Sequence, residues 1–424
     1  MAVLHTPTPA RAELRFLETV TSANGATGGI HPLVSLVSHR QHLAPLLARA
    51  LPHCGDRPDV VAVTRGPGMV AALAVGLDTA KGLAVGLDRP LVGVHHMLAH
   101  ALTPRLVAAL GSDGGGGGGG GGSSSSSEAC GFPFATLLVS GGHTLLARSC
   151  APTRHRVLAD TIDIALGDML DKAARALLPA AALEAAGPVV VYGRLLEQFC
   201  FPGGGGDAEW AYHVPRTRAR LDEAARRRAL WGDWALPVPL AHVRPDAFSF
   251  AGLGSALQRV LDARGAAMGA DERRALGREF MATAFEHVAS RVVAALRSEE
   301  CDGAAGGGDG GTGGALVVSG GVASNGFLRH VLQRSLAHAE LSRVRLVVPP
   351  ARFCTDQAAM VAWAAAELWR GGWRTALDVQ PLRRWSLDDR IRSDDDSGGG
   401  DGDGGEAGGV LGVSGWVRYG QTDG

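Results

Sequence analysis

The chain has 424 residues, enough for two domains of ordinary size. Its 41 basic and 42 acidic residues exclude a protein that coats nucleic acid or membrane through global charge, while leaving room for a local basic groove. The six cysteines are scattered without a C-x-x-C pair, which excludes a disulfide framework and a zinc ribbon and fits a reducing compartment.

No apolar run is expected to span a membrane, and the first thirty residues lack a secretory layout. They mix Arg11 and Arg15 with Glu13 and Glu18, a poor mitochondrial presequence. Many of the 61 glycines fall in runs at 114–122, 203–206, 306–314 and 398–409, which read as surface insertions.

Residues 28–32 are turn-like, and the apolar rhythm from Leu33 to Leu51 predicts a helix. A β-branched run, 60–64, ends in Arg65-Gly-Pro-Gly68 and precedes a small-residue helix to about Gly86. A second strand, 90–94, then leads into Val-His-His-Met-Leu-Ala-His (94–100), with no helix breaker before Pro104. This strand, turn, helix, strand order is α/β. On a helix, His96 and His100 share one face. Two such imidazoles can hold one divalent metal ion. They can equally cap or pack beside the helix, and spacing alone does not decide.

Residues 134–140 and 145–147 read as strands joined by a glycine turn. The run 315–319 closes in a second glycine loop before a helical pattern at Phe327, Leu328, Val331 and Leu332. Val-Ser-Gly-Gly therefore occurs at 139–142 and again at 318–321, which suggests two related halves facing each other across a cleft; the alternative is two unrelated turns. Such loops let backbone N–H groups approach a phosphate, and the helix after the second adds its positive end. Between them, Asp168 and Asp171 are either helix-start acids or partners for ribose hydroxyls.

Arg216, Arg218, Arg220, Arg226, Arg227 and Arg228 alternate with Trp210, Tyr212, Trp231 and Trp234. The mixture suits looped RNA, although a solvated basic helix is the default. The stripe Leu276, Phe280, Ala284, Val288, Val292 and Leu296 is a core helix face. In Phe353-Cys-Thr-Asp356, Thr355 or Asp356 is a candidate helix cap. Asp356 is also a candidate oxygen ligand beside the two histidines. Residues 391–409 read as disordered, with 410–419 able to dock back.

Taken together, Gly-Gly-Ile-His-Pro (28–32), Gly-Pro-Gly-Met (66–69), Ala-Lys-Gly-Leu-Ala (80–84), His-His-Met-Leu-Ala-His (95–100) and Val-Ser-Gly-Gly-His-Thr (139–144) form one series. It continues through Ile-Asp-Ile-Ala-Leu-Gly-Asp-Met-Leu-Asp-Lys (162–172), Phe-Ser-Phe-Ala-Gly-Leu (248–253), Ser-Gly-Gly-Val-Ala-Ser-Asn (319–325) and Phe-Cys-Thr-Asp (353–356). The series resembles the TsaD-like tRNA N6-adenosine threonylcarbamoyltransferases, in their bacterial and mitochondrial branch.

The resemblance implies a two-lobed actin-like ATPase α/β fold around a nucleotide cleft. Its expected divisions are an atypical segment 1–27, a lobe 28–145 with an insertion at 113–127, a lobe 146–386 with insertions near 203–234 and 303–314, and a Gly/Asp-rich tail 387–424. It also implies transfer of threonylcarbamoyl from threonylcarbamoyl-AMP to N6 of the adenosine 3′ to the anticodon, in tRNAs reading ANN codons. His96, His100 and Asp356 would hold one divalent metal, iron or zinc, as the catalytic group. Val139, Ser140, Gly141, Gly142, His143, Asp171, Gly187 and Asn325 would line the adenylate site. A homodimer, no membrane partner and a mitochondrial location are expected by the same analogy.

Three departures qualify the match. Leu98 stands where the family usually has an acid, so the Glu of an H-E-x-x-H protease is missing. Gly254 replaces a frequent lysine. The family's opening strand and acidic turn have no counterpart before Gly28, so the first strands read as missing. A truncated homologue that binds adenine nucleotide or a partner without turnover is therefore the alternative.

Overall fold

The computed structural model describes residues 1–22, 32–111, 131–185, 191–214, 234, 236–240, 244–305, 314–391 and 408–419. In chain order the longer elements begin with β1 (Ala2–Thr8), β2 (Arg11–Leu17), α1 (Pro32–Ala50), β3 (Val61–Gly66), α2 (Val70–Leu87), β4 (Leu91–His95) and α3 (His96–Leu110). Next come β5 (Phe134–Val139), β6 (Thr144–Ala151), β7 (Arg154–Thr161), α4 (Leu166–Leu177), α5 (Ala180–Ala185), α6 (Tyr192–Cys200) and β8 (Ala247–Phe248). The chain continues through α7 (Ala251–Arg264), α8 (Ala270–Ala305), β9 (Ala315–Ser319), α9 (Gly326–His338), β10 (Arg345–Val347), α10 (Ala358–Arg370), β11 (Trp373–Thr375) and β12 (Trp416–Arg418).

The first compact unit comprises Met1–Phe134, Arg148–Val157 and Ala351–Gly424. Its four-stranded sheet has the order β12-β11-β4-β3, with β3 and β4 parallel and β11 antiparallel to both neighbours. The run Leu91–His95 is wholly buried, as expected of a strand covered on both faces. Val61, Leu77, Ala80, Ala84, Leu91 and Val379 form one apolar cluster under this sheet. The helix α10 packs on α3 and on β4.

The linear division expected from the sequence does not hold. The second unit comprises Ala135–Ala147 and Leu158–Pro350, so the chain from Ala351 onward belongs with its first 134 residues. Packing of α10 against α3, more than two hundred residues earlier, is a long-range contact that composition along the chain cannot reveal. Residues 1–27 contain the antiparallel hairpin β1–β2, a separate two-stranded sheet.

Two further expectations are corrected. Val70–Leu87 is an 18-residue helix with mean hydropathy 1.5, long and apolar enough to cross a membrane by length and composition, and 17% of it is buried. Alanine, valine and leucine raise its hydropathy, while Asp78 and Lys81 interrupt the apolar run. Pro104, read as the limit of the histidine helix, lies inside α3. It lacks the N–H that His100's carbonyl would otherwise accept, a local loss that a helix buried along most of its length withstands.

The six-stranded sheet runs β10-β9-β5-β6-β7-β8, with β5, β9 and β10 parallel. The stripe Leu276, Phe280, Ala284, Val288, Val292 and Leu296 of α8 is buried, as its spacing predicts. The piece 410–419 does dock, with β12 pairing β11 in the first unit. The reading of 392–407 as disordered falls outside the described residues.

Candidate metal and adenylate sites

The histidine helix starts where it does because His95 caps it. The Nδ1 of His95 accepts from the backbone N–H of Met97 at 3.1 Å and lies 3.4 Å from that of Leu98. Its Nε2 sits 3.0 Å from the Trp385 carbonyl. With Nδ1 accepting, Nε2 carries the proton, and both ring nitrogens are committed. His95 is thereby excluded as a ligand.

His96 and His100 follow on the first turn and the next, their rings 4.8 Å apart and nearly perpendicular. Asp356 meets them from the loop before α10. Its Oδ1 lies 2.9 Å from Nε2 of His100 and 3.5 Å from Nε2 of His96. The three candidate ligand atoms fall within 4.8 Å of one another. Two imidazole nitrogens and one carboxylate oxygen converging on a point fit a divalent transition metal. The Asp356 side chain is 74% exposed while that of His100 is 2% exposed, so the cluster spans from the core to the surface.

Asp356 does not cap the following helix. That role falls to Gln357, whose side-chain oxygen accepts from Met360 N at 3.1 Å. Neither Thr355 nor Asp356 is the cap, contrary to expectation. Leu98 is fully buried, and Met97, which stands where the Glu of H-E-x-x-H would be, is buried too.

The two Val-Ser-Gly-Gly runs do not mark two halves. Both end strands of one sheet, for β5 and β9 are parallel neighbours with Leu138 opposite Ser319. The second loop turns at Gly320, with φ +95°, where a Cβ would run into the Val139 carbonyl. In the first loop the Ser140 hydroxyl accepts from the N–H groups of Gly142 (3.3 Å) and His143 (3.0 Å). Those amides are satisfied internally, so the loop offers open space over Gly141 and Gly142 rather than a bare amide cradle. Gly167 N donates to Ser140 O at 3.1 Å, tying α4 to this loop.

The start of α9 also differs from expectation. The side-chain oxygen of Asn325 accepts from Leu328 N at 2.9 Å. A carboxylate oxygen of Glu197 accepts from Phe327 N at 3.0 Å, and Glu197 also bonds Gly326 N. The helix's positive end is already occupied. Burial raises the Glu197 pKa, and the bonds from Phe327 and Gly326 oppose that shift. Its only sequence signal is weak: it follows the buried Leu196 on α6. Asn325 Nδ2 is buried with no partner among the described residues, a donor left over for a ligand.

Asp168 is a helix-start acid, paired with Lys172 at 2.7 Å. Asp171 differs: burial pushes its carboxyl up to about 6, opposed by Arg175 and by a bond from Gly193 N. Since α4 packs on α6 and on the turn 321–324, the second unit gathers Val139–His143, Asp171, Glu197 and Asn325. Gly187 and the arginines from 216 to 228 lie outside the described residues. Tyr212 and Trp234 are buried, and Trp210 stacks with Phe327 and His330. Tyr212 and Trp234 serve packing, Trp210 is half-buried, and Trp231 lies outside the described residues.

Comparison with known proteins agrees with the geometry. The sequence profile of the family described as tRNA N6-adenosine threonylcarbamoyltransferase matches residues 15–116 and 123–363. A mitochondrial tRNA N6-adenosine threonylcarbamoyltransferase of Schizosaccharomyces pombe is 32% identical over 380 residues, covering 85% of this chain and 76% of the relative. The protein of that name from Novosphingobium aromaticivorans is 33% identical over 383 residues, with 90% and 89% covered. One from Cereibacter sphaeroides is 34% identical over 375 residues, with 87% and 85% covered. With its profile match across most of the described chain, its α/β sheets of the actin-like ATPase class and its two-histidine, one-carboxylate cluster, the chain belongs to the TsaD family of tRNA N6-adenosine threonylcarbamoyltransferases.

Proposed function

We propose that the protein transfers the threonylcarbamoyl group of threonylcarbamoyl-AMP to N6 of adenosine 37 in tRNAs reading ANN codons, forming t6A. Membership of the family supports tRNA modification. The observation that carries the catalytic reading is the convergence of His96, His100 and Asp356 on one point.

Those three residues would hold one divalent metal, iron or zinc, as donors of suitable chemistry. When bound, the metal supplies Lewis-acid polarisation of a carbonyl oxygen. In the second unit, Asn325 Nδ2 donates to the adenylate and the Asp171 carboxylate accepts from a ribose hydroxyl. The side-chain-free surface of Gly141 and Gly142 admits the phosphate. The N6 amine attacks the carbamoyl carbon, the bond from that carbon to the phosphate oxygen breaks, and AMP leaves with the electron pair. The amine sheds one proton. No protein nucleophile takes part.

A homodimer is supported by the apolar α2, whose Val70 and Val85 are exposed. A mitochondrial site of action is supported by the Schizosaccharomyces pombe relative. The test is nucleoside mass spectrometry on tRNA from a deletion strain complemented with this chain. Restored t6A is expected, and His100→Ala should abolish it. A folded wild-type protein that restores none overturns the proposal.

A further inference from the structure

Beyond residue 363, where the family profile ends, the chain crosses a Gly/Asp-rich stretch and returns as Gly408–Tyr419. This returning segment is firmly seated in the first unit. Val410 is fully buried and Val413 nearly so. Gly409 N donates to Ile391 O at 3.0 Å, Ala376 N to Gly415 O at 2.8 Å, and Tyr419 N to Gly372 O at 2.9 Å.

The segment's contacts lead inward to the histidine helix. Trp385 Nε1 donates to Gly409 O at 3.1 Å, and Trp416 Nε1 to Val410 O at 3.0 Å. The rings of Trp385 and Trp416 are 6.4 Å apart. Arg65 lies over the Trp385 ring at 5.8 Å and donates to Ser414 O at 2.7 Å and to Gln380 O at 3.0 Å. Trp385 in turn packs against His95, ring centroids 4.8 Å apart and tilted by 57°, and offers its carbonyl to the imidazole. His95 caps α3 immediately before His96. Each link is a directional contact, so displacement of the segment passes to the cap.

We propose that Gly408–Tyr419 is a clasp that holds Trp385 on His95 and so fixes the first turn of α3, making Trp385 and His95 positioning residues for His96 and His100. The proposal rests on the metal reading of those two histidines. Its chemical content is that metal affinity depends on residues touching no ligand atom, through one intermediary, His95.

The intermediary makes a discriminating test possible. Val410→Asp puts a carboxylate into the clasp's apolar seat. Trp385→Phe keeps a ring but removes the donor to Gly409. His95→Asn keeps a side-chain oxygen for the cap and severs the link to Trp385. Cobalt(II) affinity is measured by chelator competition on the full-length variants, with the visible spectrum reporting coordination. The His95 tautomer is read by long-range 1H–15N NMR.

The wild type should show a single Nε2–H tautomer. Val410→Asp and Trp385→Phe should average the tautomers and weaken cobalt binding about tenfold, on the scale by which supporting residues affect metal sites. In a His95→Asn background, Val410→Asp should weaken binding no further, because the path is already cut. Unchanged cobalt affinity in folded Val410→Asp or Trp385→Phe overturns the clasp. So does an additive loss in the double variant, which would mean general destabilisation. If Val410→Asp does not fold, Trp385→Phe alone and with His95→Asn decides. If the wild type binds no cobalt, the metal reading fails separately; the clasp is then judged on the tautomer, and an unaltered His95 signal in the variants refutes it.

Discussion

Asp356→Ala isolates metal binding from folding better than either histidine substitution. The Asp356 side chain is 74% exposed and caps no helix, so its loss should cost the apo protein only about 1 kcal/mol, for the 2.9 Å bond taken from the buried His100 Nε2. His100 is 2% exposed on its side chain, and replacing it opens space in a packed helix. Removing Asp356 takes one of three ligand atoms from the cluster and the only negative one. A loss of at least about 100-fold in metal affinity, about 2.7 kcal/mol, is expected. Asp356→Asn keeps the shape and an oxygen but not the charge, and should fall between. Zinc affinity by chelator competition, beside a thermal melt of the apo protein, separates the two quantities. Equal zinc affinity in wild type and Asp356→Ala would falsify the ligand assignment, whatever the activity.

Three further outcomes follow from the described geometry. Asn325→Ser retains a side-chain acceptor for the α9 cap but lacks the buried Nδ2 donor, so AMP affinity by calorimetry should fall about tenfold, one hydrogen bond's worth, at nearly unchanged stability. Asp171 carries a carboxyl raised to about 6 by burial; AMP affinity should decline as pH falls through about 6, and Asp171→Asn should flatten that profile. Burial depresses His155 from 6.5 to about 4, against the bond to Pro152 O. The fold keeps this imidazole neutral while the unfolded chain protonates it, so its contribution is present above about 6.5 and is lost as pH falls toward about 4. The loss is about 3 kcal/mol by linkage, and urea unfolding of His155→Gln at the two pH values should lack it.

The local elements were legible because each is written in a short window. The rhythm of Leu33–Leu51 gave α1, and the β-branched runs gave β3, β4, β5 and β9. The histidine spacing places two imidazoles on one face, Asp356 is a candidate oxygen ligand from its residue type, and the resemblance joins the three; all three come together. What escaped was long-range or capping chemistry. The two glycine loops looked like markers of separate halves, yet register places them on adjacent strands, and register is a property of pairs. The start of α9 read as a vacant anion site because Glu197, more than a hundred residues earlier, gave no hint that it would fill it. Gln357 took the cap from Asp356 by one residue, within the ordinary uncertainty of helix ends. The strand β2 alternates charged and apolar residues from Arg11 to Phe16, a period-two signal that the resemblance-based reading of 1–27 as an atypical segment does not use.

The occupied start of α9 has a consequence in any phosphate-rich compartment. A bare helix terminus attracts any small anion, and inorganic phosphate is abundant wherever nucleotides turn over. Here the amides of Gly326, Phe327 and Leu328 already hold the protein's own oxygens, and a carboxylate among them repels a second negative group. Free phosphate and sulfate find no vacancy at that end, so under the proposed adenylate reading recognition would shift onto the sugar and base, through Asn325 and Asp171. Ambient anions become poor competitors, and discrimination among nucleotides rests on what the phosphate is attached to.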